Sequence, residues 1–243
     1  MISALAITYN EETNIERYIE SLSFADEIII VDAFSTDKTL ELAKQYNVSF
    51  VQHKFDNINS QKNHAISLAK FDWIVFFDLD EVISTQLANE IKQITTTTSD
   101  TVAYKVKRNF HFMGKILKFG GVQNESQIRV FKKESCVDGV AFNINGIIKV
   151  LKHKVDYYPY KDYDHFNNKL TQIGQLEAAK LYKKNLRPTL YHFLIKPWSN
   201  FMYNYIIKLG ILDGKEGFIL AYLNAFAIYK RYIQLWTMYR NIN

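Results

Sequence analysis

Four apolar runs punctuate the start of the chain: Ser3–Thr8, Glu27–Val31, Val48–Gln52 and Trp73–Phe77. Short, nearly continuous apolar stretches of this length read as strands covered on both faces. Helical segments separate them. Asn14 is placed to cap Ile15–Leu22, Ser35 or Thr36 to cap a helix through Tyr46, and Ser60–Lys70 turns Ala65, Leu68 and Ala69 inward. The resulting β-α-β-α-β-α-β order predicts a parallel sheet with right-handed crossovers.

Beyond Ser84 a helix is expected to Ile94, and the polar run Thr95–Asp100 marks a boundary. Val102–Asn109 alternates as a half-buried strand. Gly114, Gly120 and Gly121 bracket Lys115–Phe119 as a hairpin or flap, and Ser126–Lys132 and Gly146–Leu151 are further strands. Tyr157–Tyr160 and Tyr163–Phe166 read as an aromatic loop. Leu170–Lys184 and Phe201–Leu209 read as helices, with Pro188 and Pro197 as breaks between them. Within Gly217–Trp236 the uncharged run reaches only Tyr229, too short to span a bilayer, and the segment reads as an amphipathic helix on a membrane, a partner or the protein's own core. The fold class is therefore α/β, a mostly parallel sheet flanked by helices with a helical C-terminal extension. Its expected divisions are 1–100, 101–168 and 169–243.

With 48% hydrophobic and 15% aromatic residues among 243, the chain has ample material for a core, which argues against disorder. The single cysteine, Cys136, excludes an internal disulfide framework and a cysteine-based zinc site. Ile2–Ile7 is too short for a signal peptide, so a cytoplasmic location is expected. Charge is uneven. Residues 1–150 carry 16 basic and 19 acidic side chains, whereas residues 151–243 carry 14 and 6. The basic part points to an anionic membrane surface, with attachment at the inner face of the inner membrane as one location. Nucleic acid is disfavoured, because the cations are scattered through helices and no nucleic-acid motif is present.

The chemistry concentrates at strand ends. Trp73–Phe77 runs directly into Asp78-Leu79-Asp80-Glu81, and a buried strand can hold such acids only where it emerges. Asp78 and Asp80 share a strand face and repel unless a cation lies between them; Mg²⁺ held by one or two carboxylates and substrate phosphates suits this. Thr8-Tyr9-Asn10-Glu11 and Asp32 end two other strands. In a parallel sheet these three clusters meet at one crevice, where ligands bind. Tyr9 could cover a base, Asp32 could accept from a base or ribose, and metal on the later acids could hold a diphosphate. No Gly-x-Gly-x-x-Gly and no Walker loop is present.

Ala4–Glu12, Val31–Thr39, Gln61-Lys62-Asn63 and Asp78–Glu81 together resemble family 2 glycosyltransferases. The flap from Arg108 to Gly121, the strand Gln127–Phe131 and the block Leu209–Phe218 resemble the bacterial branch of lipopolysaccharide core or glycan β-glucosyltransferases. The resemblance implies a GT-A fold, a UDP-sugar donor, Mg²⁺ or Mn²⁺, inversion at the anomeric carbon and a glycan or lipid-linked acceptor. It places Thr8, Tyr9, Asn10 and Glu11 in the uridine pocket, Asp32 on base or ribose, Lys62 near base or diphosphate, Asp78 on ribose, and Asp80 and His165 on the metal. Glu125 falls at the position of the branch's carboxylate, within Val122-Gln123-Asn124-Glu125 where the branch has Trp-Tyr-Pro-Asp, and is the expected base, with Glu81 as its alternate. The usual Asp-Asp-Gly after the second strand is Asp32-Ala33-Phe34. Arg129 is assigned to phosphate on donor or acceptor.

Three rivals remain at this level. A haloacid-dehalogenase-type phosphatase would use Asp78 as nucleophile, but its signature normally ends the first strand. A nucleotidyltransferase would require a phosphate loop that is absent. A non-enzymatic membrane adaptor rests on the basic, aromatic C-terminal third alone.

Overall fold

The computed structural model describes residues 1–122, 125–136, 142–160 and 163–240, the side chain of His165 excepted. The chain divides into two compact units. The first comprises Met1–Arg108 with Glu125–Tyr157, and the second Asn109–Asn124 with Tyr158–Asn243.

The first unit holds the sheet. Its opening half follows β1 (Ile2–Thr8), α1 (Ile15–Ser21), β2 (Glu27–Asp32), α2 (Thr39–Ala43), β3 (Ser49–Gln52), α3 (Ile58–Leu68) and β4 (Trp73–Phe76). After β5 (Glu81–Val82) and α4 (Thr85–Thr96), β6 (Thr101–Phe112) leads out of the unit, and the chain returns in β8 (Ser126–Lys132), β9 (Ile147–Val150) and β10 (Val155–Tyr157). Strand order runs β3-β2-β1-β4-β8-β6. The first four are parallel, β8 is antiparallel to both β4 and β6, and β9 lies parallel on β6. β5 and β10 form a short antiparallel ribbon that the residue pattern did not reveal.

Both sheet faces are covered. Ala4, Ala6, Ile30, Val75 and Val130 pack on one side, and Leu5, Ile29, Val31, Ile74 and Phe76 on the other. This two-sided burial is why β1, β2 and β4 read as unbroken apolar runs. The register places Thr8 beside Asp32, and Leu5 beside Phe76. The C-terminal ends of β1, β2 and β4 therefore lie along one edge. Tyr18 on α1 is fully buried and donates from its hydroxyl to the Phe77 carbonyl at 2.9 Å, fixing the point where β4 ends. Burial and the nearby Asp78 and Glu81 carboxylates push its phenol well above the ordinary range.

The second unit contains β7 (Lys115–Leu117), which forms a hairpin with the end of β6, then α5 (Tyr163–Lys183), α6 (Leu190–Met202), a π-helical turn (Tyr203–Ile207) and α7 (Lys215–Arg240). Met113 and Gly114 form the two-residue turn, both at positive φ, as a tight hairpin of this hand requires. The block Leu209–Phe218 is a packing device. A Cβ on Gly217 would sit 2.0 Å from the Gly210 carbonyl oxygen, and buried Asp213 accepts from the amides of Lys118 and Phe119 at 3.0 and 2.8 Å. Lys115 donates to the Asp213 carbonyl at 2.5 Å and pairs with Glu216 at 3.1 Å.

Several local expectations are corrected. Asn14 precedes α1 but makes no cap; its amide donates to Glu11 at 2.7 Å and its oxygen accepts from Arg17. The helix expected from Ser35 begins only at Thr39, because Ser35 turns back to Asp32. Tyr163–Phe166 is the first turn of α5, where Phe166 is buried against Tyr160 and Phe112. Pro197 lies inside α6, which continues through it.

Candidate functional site

Two loops at the C-terminal edge are stitched together. The Asn10 amide donates to Ser35 Oγ at 2.9 Å, and Asn10 Oδ1 accepts from the Thr36 amide at 2.8 Å. The Glu11 amide donates to Thr39 Oγ1 at 2.8 Å, and Glu12 exchanges bonds with the 37–38 turn at 3.1 Å each way. Asn10 holds φ at 55°, a conformation that asparagine adopts more readily than most residues. These bonds leave Tyr9 projecting, 57% exposed, above the edge. Asn10→Ala should destabilise this rim by about 1–3 kcal/mol, through lost bonds and a strained backbone. Hydrogen exchange should quicken at Ser35 and Thr36 before any change in the sheet; unaltered exchange there would show that the bonds do not hold the rim.

Asp32 is completely buried at this edge. Its carboxylate accepts from the Ser35 amide at 2.9 Å, from the Ser35 hydroxyl and from Gln52 Nε2 at 3.1 Å. It organises the loop from below rather than standing open at the surface. Thr8 is also buried, with its hydroxyl unpartnered among the described residues.

The end of β4 carries a dense ionic cluster. Glu81 has no exposed surface, and its two oxygens meet Arg108 Nε at 2.6 Å and an Arg129 terminal nitrogen at 2.9 Å. Both arginines are buried. Arg129 also binds Asp78, which receives a weaker bond from Arg108 at 3.4 Å. Arg108 reaches Glu125 with its remaining terminal nitrogen at 2.8 Å and stacks over the Tyr157 ring at 4.2 Å. Burial opposes ionisation of Asp78, but Arg129, Lys62 and Arg108 outweigh it and hold the carboxyl below its usual range. The amide of Asp78 donates to Glu81 at 3.0 Å, closing the turn that aims these side chains. Both guanidinium contacts fall on one oxygen of Asp78, and its side chain keeps partial exposure.

The assigned residues thus fall into three groups. Thr8, Tyr9, Asn10, Glu11 and Asp32 share the β1–β2 end of the edge. Asp78, Glu81, Glu125 and Arg129 share one ionic cluster, with half-buried Asp80 in the same turn. Lys62 and Arg129 line a pocket of about 240 Å³ with Gln127, Ile128 and Phe142. Burial lowers the Lys62 ammonium from its usual range, and its nitrogen lies 4.6 Å from the Phe142 ring centre. Glu125 keeps a partly exposed carboxylate, whereas Glu81 has none to offer an acceptor. His165 lies in α5, but its side chain lies outside the description.

No group of three metal-binding side chains gathers among the described residues. Asp80 in this turn brings a single half-buried carboxylate. That fits a cation whose other ligands are substrate phosphates, and not an all-protein cage.

Arg108 escaped the reading of the residues, although a signal exists. Tyr104, Val106, Arg108, Phe110 and Phe112 occupy alternate, buried positions of β6. An arginine in the inward register of a strand needs carboxylates facing it.

Similarity to known proteins agrees with this architecture. Residues 3–143 match the family model described as glycosyl transferase family 2. A glycosyltransferase of Rickettsia typhi is 26% identical over 251 residues, covering 96% of this chain and 86% of that protein. The lipopolysaccharide core biosynthesis glycosyltransferase LpsC of Rhizobium meliloti is 23% identical over 252 residues, covering 95% and 93%. Glucosyl-3-phosphoglycerate synthase from Mycobacterium tuberculosis, solved with Mn²⁺, UDP and glucosyl-3-phosphoglycerate, superposes with a TM-score of 0.50 at 18% identity over 80% of this chain and 83% of that one, a likeness of fold. The parallel edge and its loops are thus the GT-A arrangement, and the chain belongs to glycosyl transferase family 2.

Proposed function

We propose that the protein is an inverting hexosyltransferase of the lipopolysaccharide-core or glycan β-glucosyltransferase branch. It would move a hexose from a UDP-sugar to a hydroxyl of a glycan or lipid-linked acceptor at an anionic membrane surface. The observation that carries this reading is the alignment of the β1, β2 and β4 ends along one edge of a family 2 fold. In this reading residues 1–100 form the donor half, 101–168 the acceptor-side half and 169–243 an extension.

Tyr9, with Thr8, Asn10 and Glu11, lines the uridine pocket, and Asp32, buried beneath, sets the loop that faces the base or ribose. Asp78 addresses the ribose. Lys62 and Arg129 supply positive potential for the diphosphate. Asp80 would hold Mg²⁺ or Mn²⁺, which when bound would neutralise the charge of the leaving diphosphate. Glu125 takes the proton of the acceptor hydroxyl as its oxygen bonds to the anomeric carbon and the bond to UDP breaks. Arg108 holds Glu125 in place, and Glu81 holds Arg108; Glu81 is then a positioning group rather than a second base.

A thermal-shift screen of nucleotide sugars, with and without Mn²⁺, tests the reading. A UDP-sugar at 100 times its dissociation constant should stabilise the native state by about 2.7 kcal/mol. CMP- and GDP-sugars at the same concentration should not. Absence of any shift with every UDP-sugar would overturn the donor assignment.

A further inference from the structure

The second unit carries an apolar surface that the transfer reaction does not use. On α6, Leu190, Tyr191, Leu194, Ile195 and Trp198 recur on one helical face, and no residue of this helix is buried. Leu194 is 64% exposed and Trp198 60%. On α7, Phe218, Tyr222, Phe226 and Tyr229 form a ladder of rings, stacked in turn at 6.4, 6.5 and 6.2 Å between centroids. The ladder continues outward to Ile233 and Trp236, both partly exposed. The two helices pack side by side, and an apolar groove of about 530 Å³ lies between them, lined by Trp198, Phe201, Phe218, Tyr222 and Phe226 among others. The stripes therefore join into one surface. The opposite side of α7 is the packed one, where Tyr232 and Leu235 are buried with Ala178 of α5.

This part of the chain carries a surplus of positive charge, although Arg231 is paired with Glu177 of α5 and Lys230 is bonded to Asn167 and Thr171. From Leu190 onward the chain has six basic residues and two acidic ones. Neither acid is available: Asp213 is buried under the Lys118–Phe119 turn, and Glu216 is paired with Lys115. Lys208 lies beside the Tyr203 ring and Arg240 beside the Trp236 ring, so cations flank aromatic side chains at the rim. Among the described residues no helix is long and apolar enough to cross a membrane.

We infer that the α6–α7 surface docks on an anionic phospholipid bilayer, lying in the headgroup region. Monomeric proteins rarely expose so continuous an apolar face, and tryptophan and tyrosine are the side chains that settle at a bilayer interface. The surplus of cations, with Lys208 and Arg240 set beside aromatic rings, matches anionic headgroups. The inference deepens the reading of a membrane-borne acceptor and rests on it for its purpose, while its physical grounds are independent of the donor site.

Co-sedimentation with vesicles decides it. The protein should pellet with mixed phosphatidylglycerol and phosphatidylcholine vesicles, and far less with phosphatidylcholine alone. Raising salt should release it, since screening weakens the attraction. The double variant Leu194→Glu/Trp198→Glu should lose at least about tenfold in vesicle affinity. Its melting temperature should be unchanged, because both side chains are exposed. Should that variant fail to fold, tryptophan emission of the wild type serves instead: Trp198 and Trp236 should shift to the blue on anionic vesicles alone. Wild-type protein remaining in the supernatant, or equal binding by the double variant, would overturn the inference. So would a wild-type dimer that ignores vesicles and that the double variant splits, which would assign the surface to a second copy. Vesicle binding is read without donor, so it can fail while UDP-sugars still raise the melting temperature, and the reverse.

Discussion

Glu125→Gln should slow sugar transfer by roughly 10²–10⁴-fold, the span that removal of a general base produces. The proposed role requires a carboxylate that is both held and reachable. Arg108 supplies the first property at 2.8 Å, and the side chain's partial exposure supplies the second. Glutamine keeps the shape and still accepts the Arg108 bond through its amide oxygen, so the cluster stays folded. It cannot take the acceptor's proton. The midpoint of a UDP titration should therefore be unchanged while kcat falls. Wild-type turnover in this variant would remove Glu125 from the mechanism, and a weakened UDP midpoint would recast it as a donor-binding residue.

Glu81→Gln should do the opposite. Its carboxylate is the fully buried anion shared by two buried guanidinium groups. Neutralising it leaves Arg108 and Arg129 facing each other across an amide that can satisfy only one of them. Removing one partner of a buried ion pair costs roughly 3–5 kcal/mol, on the order of 10 °C in melting temperature for a chain of this size. Loss of activity in Glu81→Gln should track the unfolded fraction and recover on cooling. A variant as stable as wild type yet inactive would show that Glu81 takes part in chemistry after all. Together the two substitutions separate a reacting carboxylate from a supporting one.

Much of the fold was legible because burial on both faces forces uninterrupted apolar runs. β1, β2 and β4 carry such runs, and their ends were located to within a residue or two. The acids after β4 were legible for the complementary reason, that charge cannot remain within a covered strand. The partners of those acids were not. Arg108 and Arg129 approach from β6 and β8; the alternation of β6 marks Arg108 as inward-facing, but which acids it meets is set by pairing across the sheet. Asp32 shows the same limit: its place at the strand end was evident, but not that Ser35 and Gln52 draw it inward. The two-residue β5 has too few positions to display any period, and Tyr163–Phe166, the first turn of α5, resembles a loop because its aromatic run has no helical period of its own. Pro197 misled because a proline's missing amide is read as a break, whereas α6 passes through it.

The carboxylate of Asp213 has a mechanical consequence. It grips two successive amides at Lys118 and Phe119, about 95 positions earlier in the chain, while Gly210 and Gly217 interlock too closely to admit a methyl group. The root of the hairpin and the first turn of α7 are thereby clamped as one rigid joint. Any swing of the hairpin must either carry the front of that long helix with it or pivot beyond the clamp, at the tip around Met113 and Gly114.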